Sequence, residues 1–176
     1  MECSNIIIEE IMQRFKPVIG ADYGRYKNHV YRVFINCLLI DNEKTNEEKY
    51  AVAAVFHDIG IWTNHTFDYL DPSIEQVKIY LTETGKQDWI DEIILMIYWH
   101  HKLSNYKGEH RNTVENFRKA DWIDVSLALL TFGLDKQKIK ETGRKIPNLG
   151  FHIFLIKETI KNFFKHPLNP VPVFKK

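Results

Sequence analysis

The chain has 176 residues, 24 lysines and arginines against 23 aspartates and glutamates, and 44% hydrophobic residues. That composition fits one globular domain with a real core and excludes intrinsic disorder. A net charge of +1 argues against a protein that holds nucleic acid by bulk electrostatics, leaving only a local basic patch open. Cys3 and Cys37 form neither a metal-type pair nor a disulfide framework, as in a reducing compartment. No run approaches about 18 apolar residues, so no membrane partner is expected. An N-terminus bearing Glu2, Glu9 and Glu10 lacks the basic start and apolar middle of a signal peptide. The cytoplasm is the expected compartment.

Seven helices are expected in chain order. Ser4 reads as the N-cap of the first, with Ile7, Ile8, Ile11 and Phe15 at helical spacing until Pro17 and Gly20 end it. Val30, Val33, Phe34, Cys37 and Leu38 form the stripe of the second. Thr45 and Glu48 read as a capping box before the third, whose run Ala51-Val52-Ala53-Ala54-Val55-Phe56 is apolar on nearly all sides and so buried on most of its surface. A loop is expected from Ile59 to Pro72, then a short helix capped by Ser73, carrying Ile74, Val77 and Leu81, and closed by Gly85. Ile90, Ile93, Ile94 and Ile97 define the fifth helix. A polar loop from Lys102 to Asn112 precedes the sixth, which carries Val114, Phe117 and Val125. The seventh runs from about Leu149 to Phe164. The proline-rich stretch 167–176 is expected to be an extended tail beyond a helical domain over 1–166. The fold class is all-α.

Ionisable residues on apolar stripes point to chemistry. On the sixth helix the stripe reads Val114, Phe117, Asp121, Val125, so a carboxylate stands where a leucine is expected. A buried carboxylate is costly unless it is paired or bound to a metal. Asp124 lies along the edge of the same face. His100 and His101 emerge at the edges of the fifth helix's buried stripe, and two adjacent imidazoles there need partners for their nitrogens. His57 and Asp58 end the most buried helix. Neighbours within a helix point about 100° apart, but at a terminus the chain can turn both towards one centre, and Gly60 permits the turn. His29 borders the second helix's stripe, with Arg32 one turn along. Two imidazoles and two carboxylates make a mixed nitrogen and oxygen set suited to Mn, Fe, Co, Ni, Mg or Zn.

The segments Asn28-His29-Val30-Tyr31-Arg32-Val33, Phe56-His57-Asp58-Ile59-Gly60 and Ala120-Asp121-Trp122-Ile123-Asp124, with Ile97-Tyr98-Trp99-His100-His101 between the last two, resemble the HD-domain superfamily of metal-dependent phosphohydrolases. The resemblance covers more than half the chain, with the motifs inside residues 26–125. It implies an all-helical bundle in which His29, His57, Asp58 and Asp121 hold a divalent metal ion. Two departures stand out. Nucleotidase-like members have a Glu three residues after the Asp of the doublet, and members that hydrolyse cyclic dinucleotides have a Lys after the Gly; Ile61 stands at both places here. Diiron versions carry a further histidine some twenty residues beyond the doublet, where this chain reads Val77-Lys78-Ile79-Tyr80, so one ion is expected.

The expected activity is hydrolysis of a small phosphomonoester, with a nucleotide among the candidates, by attack of a metal-bound water. Asp58 would orient or deprotonate that water, and His100 or His101 would protonate the leaving oxygen. Arg32, Lys102, Asp124 and Trp62 are the expected substrate-binding residues. The loop from Lys102 to Arg111 is a candidate lid, with an ordinary solvent loop as the alternative; Trp62 and Tyr69 either stack on a ring or cover the core. An HD-type iron oxygenase or lyase, or a non-catalytic metal or nucleotide sensor, stays open, as does a homodimer.

Overall fold

A computed structural model describes residues 4–166; Cys3 and the tail expected over 167–176 lie outside the described residues. Among the described residues there are helices and no strand: α1 (Ile6–Ile19), α2 (Tyr23–Ile40), α3 (Glu47–Phe56), α4 (Gly60–Thr63), α5 (Leu70–Glu83), α6 (Ile90–Trp99), α7 (Arg111–Val125), α8 (Lys136–Lys145) and α9 (Phe151–Lys165). The seven expected helices are all present, and α4 and α8 join them. None of them is long and apolar enough to cross a membrane.

The pattern of burial follows the sequence stripes. α3 lies among α1, α2, α5 and α6, and every residue from Tyr50 to Phe56 is buried. Its Val52, Val55 and Phe56 are fully buried and contribute about 1.5–3 kcal/mol each on leaving water. α2 packs along α7, and α6 packs on both α5 and α7. The ends of α3, α6 and α7 and the middle of α2 thus meet around one point.

Three capping expectations change. Asn5, not Ser4, caps α1, its side chain accepting from the backbone N–H groups of Ile7 and Ile8 at 3.1 and 3.2 Å. Pro17 sits inside α1, and the helix ends only at Gly20, whose φ of +60° suits glycine. Thr45 lies in a 3-10 turn, Lys44–Asn46, and no side chain caps α3. Asp41 holds that entry instead, accepting from Glu43 N and Asn46 Nδ2, each at 2.9 Å, and from the Tyr50 hydroxyl.

The expected loop after His57-Asp58 is partly helical. α4 forms one turn, and α5 begins at Leu70, with Pro72 in the first turn, where a proline costs no hydrogen bond. Ser73 is therefore internal to α5, and its Oγ accepts from Gly60 N at 2.9 Å. A Cβ at residue 60 would lie 2.4 Å from the Tyr69 carbonyl oxygen, so glycine is what lets α4 and α5 touch. That contact draws Tyr69 inward.

Candidate metal centre

α2 supplies His29, the turn after α3 supplies His57 and Asp58, the end of α6 supplies His100 and His101, and α7 supplies Asp121. The structure brings all six together. The Nε2 atoms of His29 and His57 are 2.9 Å apart. Asp58 Oδ2 lies 3.6 Å from His29 Nε2 and 3.3 Å from His57 Nε2. Asp121 Oδ1 lies 3.5 Å from the first and 3.7 Å from the second. Donor atoms of His29, His57 and Asp58 all fall within 4.8 Å of one another, and so do those of Asp58, His100 and His101.

The outer nitrogens decide what the inner ones can do. His29 Nδ1 donates to Asp124 Oδ2 at 2.7 Å, and His57 Nδ1 donates to the Ala54 carbonyl at 2.8 Å. Both partners only accept, so both neutral rings carry their hydrogen outward and turn a lone pair inward. Two lone pairs 2.9 Å apart repel; a cation between them removes the conflict. Protonating a ring would also remove it, but burial lowers the His29 pKa to about 4 despite the opposing hydrogen bond to Asp124. His100 repeats the pattern: Nδ1 donates to the Ile97 carbonyl and Nε2 faces Asp58 Oδ1 at 3.5 Å.

The carboxylates point the same way. Burial pushes the Asp121 carboxyl up to about 8, His100 opposing and the charges of Asp58 and Asp124 adding. Burial would raise Asp58 too, and its carboxyl falls well below the usual range only when positive charge stands on the side of His57 and His100, a charge that a bound dication supplies when the rings are neutral. Asp58 Oδ1, both Asp121 oxygens and His100 Nε2 are buried without a hydrogen-bond partner. Native interiors seldom leave such groups unsatisfied. The donor set fits a divalent ion: a dication would replace the proton on Asp121 and satisfy the orphaned atoms together.

The expected substrate-binding residues lie elsewhere. Arg32 donates from Nε to Asp124 Oδ1 at 2.5 Å and from a terminal nitrogen to Asp124 Oδ2 at 2.8 Å. Both Asp124 oxygens are thus engaged, and burial's upward push on this carboxyl is overcome by His29 and Arg32. Arg32 and Asp124 form a support behind His29 rather than a substrate clamp. A carboxylate behind a ligating imidazole fixes its tautomer and orientation. Trp62 donates to Asp22 Oδ2 at 3.0 Å and packs its ring on Tyr26 and Phe154, so it walls the core. The Lys102 ammonium rests over the rings of Tyr98 and Trp99, 5.4 and 5.8 Å from their centroids. The loop expected as a lid is pinned to α7: Arg118 donates to the Lys102 carbonyl and to Asn105, while Glu115 accepts from Tyr106 N.

Tyr69 is the residue that sequence reasoning did not place at the centre. Its hydroxyl is hydrogen bonded to His101 Nε2. Burial, then the charges of Asp58 and Asp121, push its pKa well above the usual value, so it stays protonated. Its position depends on the α4–α5 contact, which leaves no periodic signal in the sequence.

A family model described as HD domain matches residues 26–148, more than half of the chain. No curated protein and no solved structure matches it significantly.

Proposed function

The chain belongs to the HD-domain family, and from that premise we propose that it is a metal-dependent phosphohydrolase acting on a small phosphomonoester, a nucleotide among the candidates. The observation that carries this reading is the pair of inward Nε2 lone pairs, 2.9 Å apart and bordered by oxygens of Asp58 and Asp121. His29, His57, Asp58 and Asp121 would hold one divalent ion, of the Mn, Fe, Co, Ni, Mg or Zn type. When bound, the ion supplies an acidified water near neutral pH and polarises a phosphoryl oxygen.

The chain's own groups do the rest. Beside a bound ion Asp58 would be ionised, so it would accept a hydrogen bond from water and orient it. Proton delivery to the leaving oxygen falls to His101 rather than to the fully buried His100, because only His101 keeps a partly exposed side chain, at 15%. Tyr69 on its Nε2 holds the ring's orientation, and Nδ1 lies 4.0 Å from Asp121 Oδ2. Burial and then the neighbouring His100 hold the His101 pKa well below its usual value. A phosphate dianion arriving beside it is the charge that would favour its protonated form.

The test is a panel of phosphomonoesters, nucleotides included, incubated with each metal in turn. Phosphate release that needs an added ion is expected. Failure of every ester, with a nucleotide still bound, would favour a sensor. Oxygen chemistry at two irons is the second reading. Asp58, His100 and His101 form a further three-donor group that shares Asp58 with the first and stands in for the histidine absent near Tyr80. Two irons per chain together with oxygen consumption would favour it.

A further inference from the structure

α9 shows its apolar residues on two faces. Phe151 and Phe154 turn inward to the core. Ile153, Ile156, Ile160, Phe163 and Phe164 turn outward, each between 49% and 79% exposed. Their spacing puts them on one outer stripe. Lys157, Lys161 and Lys165 follow at every fourth residue along one edge of it. An outward apolar stripe of this kind marks a contact site.

Charge says what kind of contact. Residues 133–176 hold ten lysines and arginines against three aspartates and glutamates, so the balanced total hides a strongly cationic C-terminal quarter. The only acid on α9, Glu158, is already paired with Lys161. A second copy would bring the same lysine row and no spare acid. Along the inner side of that row a cavity of about 290 Å³ is lined by His65, Lys161, Lys165 and His166, with Trp62 and Phe67 on its wall. Its acids, Asp22 and Glu158, are engaged with Arg25 and Lys161.

We propose that α9 docks this protein on an anionic phospholipid surface. The Ile and Phe stripe enters the headgroup boundary, the lysine row meets lipid phosphates, and the cavity beside it receives a headgroup. A single convex helix suits a fluid, flat partner, whereas a rigid protein partner would have to supply a groove. The expectation of no membrane partner rested on the lack of a spanning segment, which does not bear on peripheral contact.

Vesicle sedimentation of the full chain tests this. Binding is expected to equimolar phosphatidylcholine and phosphatidylglycerol, not to phosphatidylcholine alone, and it should weaken as salt rises. The double variants Phe163→Ser/Phe164→Ser and Lys157→Glu/Lys161→Glu should each lower binding about tenfold or more, with circular dichroism unchanged. The proposal is overturned if the wild type ignores anionic vesicles, binds both kinds equally, or loses nothing in either variant. It is also overturned by a wild-type dimer that Ile160→Ser dissociates, since a copy then covers the face. Binding that appears only once residues 167–176 are removed overturns it as well.

Discussion

Up to Val125 the chain hides its polar groups, and from Ser126 to His166 it displays its apolar ones. Among the described residues every buried polar or charged side chain lies at or before Asp124. Most of the exposed large hydrophobic ones, Leu127 to Phe164, lie after it. α8 buries no residue at all. In the first region each buried charge needs a compensating group, and that need assembles a centre. In the second the chain is held by a few ties, such as Asn28 and Arg32 to the Pro147 carbonyl and His152 to the Asp124 carbonyl. A buried polar group and an exposed apolar one are both departures from ordinary partitioning, and they are the informative ones.

The sharpest way to break this contrast is at the centre. Asp58→Ala and His57→Ala should each abolish stoichiometric metal and all activity while leaving the helical circular dichroism nearly intact. Metal retained in both variants would show that the donors do not act together. Phe117→Ala, which empties a fully buried site 5.6 Å from the His57 ring, should cost about 3–5 kcal/mol in denaturant unfolding. Ile160→Ser on the outer face should change the same measurement by no more than about 0.5 kcal/mol. Equal losses at the two sites would erase the distinction between the regions.

Asp124→Asn tests the support behind His29. It should weaken metal affinity about 10–100-fold by titration, with the fold retained. An unchanged affinity would reduce Asp124 to an ordinary partner of Arg32.

Removing the metal adds a pH dependence. Asp121 has a folded pKa of about 8 against an ordinary 3.8, so the native state binds the extra proton between those values and its contribution falls as pH rises. His29 has a folded pKa of about 4 against 6.5, and its contribution is lost as pH falls through that window. His101, also held well below its usual value, acts in the same direction as His29, so both histidines oppose Asp121 below 6.5. Above it only Asp121 remains, so metal-free protein should melt at a lower temperature at pH 8 than at pH 6.5. A bound dication takes the proton's place and should flatten that slope. A metal-free melting curve indifferent to pH over this range would count against the buried Asp121.

Legibility followed burial. Helices with an apolar stripe could be read from spacing alone, and spacing also singled out Asp121, which interrupts one stripe, and His57-Asp58, which ends another; the ligand role of these and of His29 came from the family resemblance. α8 could not: Lys136–Lys145 contains one large apolar residue, Ile139, and its start is fixed by Asp135 accepting from Gln137 N. Arg32 and Asp124 were assigned to substrate because a sequence places charges on helix faces without saying which charges face each other. Tyr69 could be read only as a stacking or covering ring; its contact with His101 leaves no trace in the sequence because a short turn and one glycine bring it in.

The side chains of His29, His57, Asp58 and Asp121 are no more than 4% exposed. An ion seated among them would exchange past His101, the one partly exposed side chain of the six, which is also the way a substrate must come. A phosphate held at that opening would then slow removal of the ion by chelator.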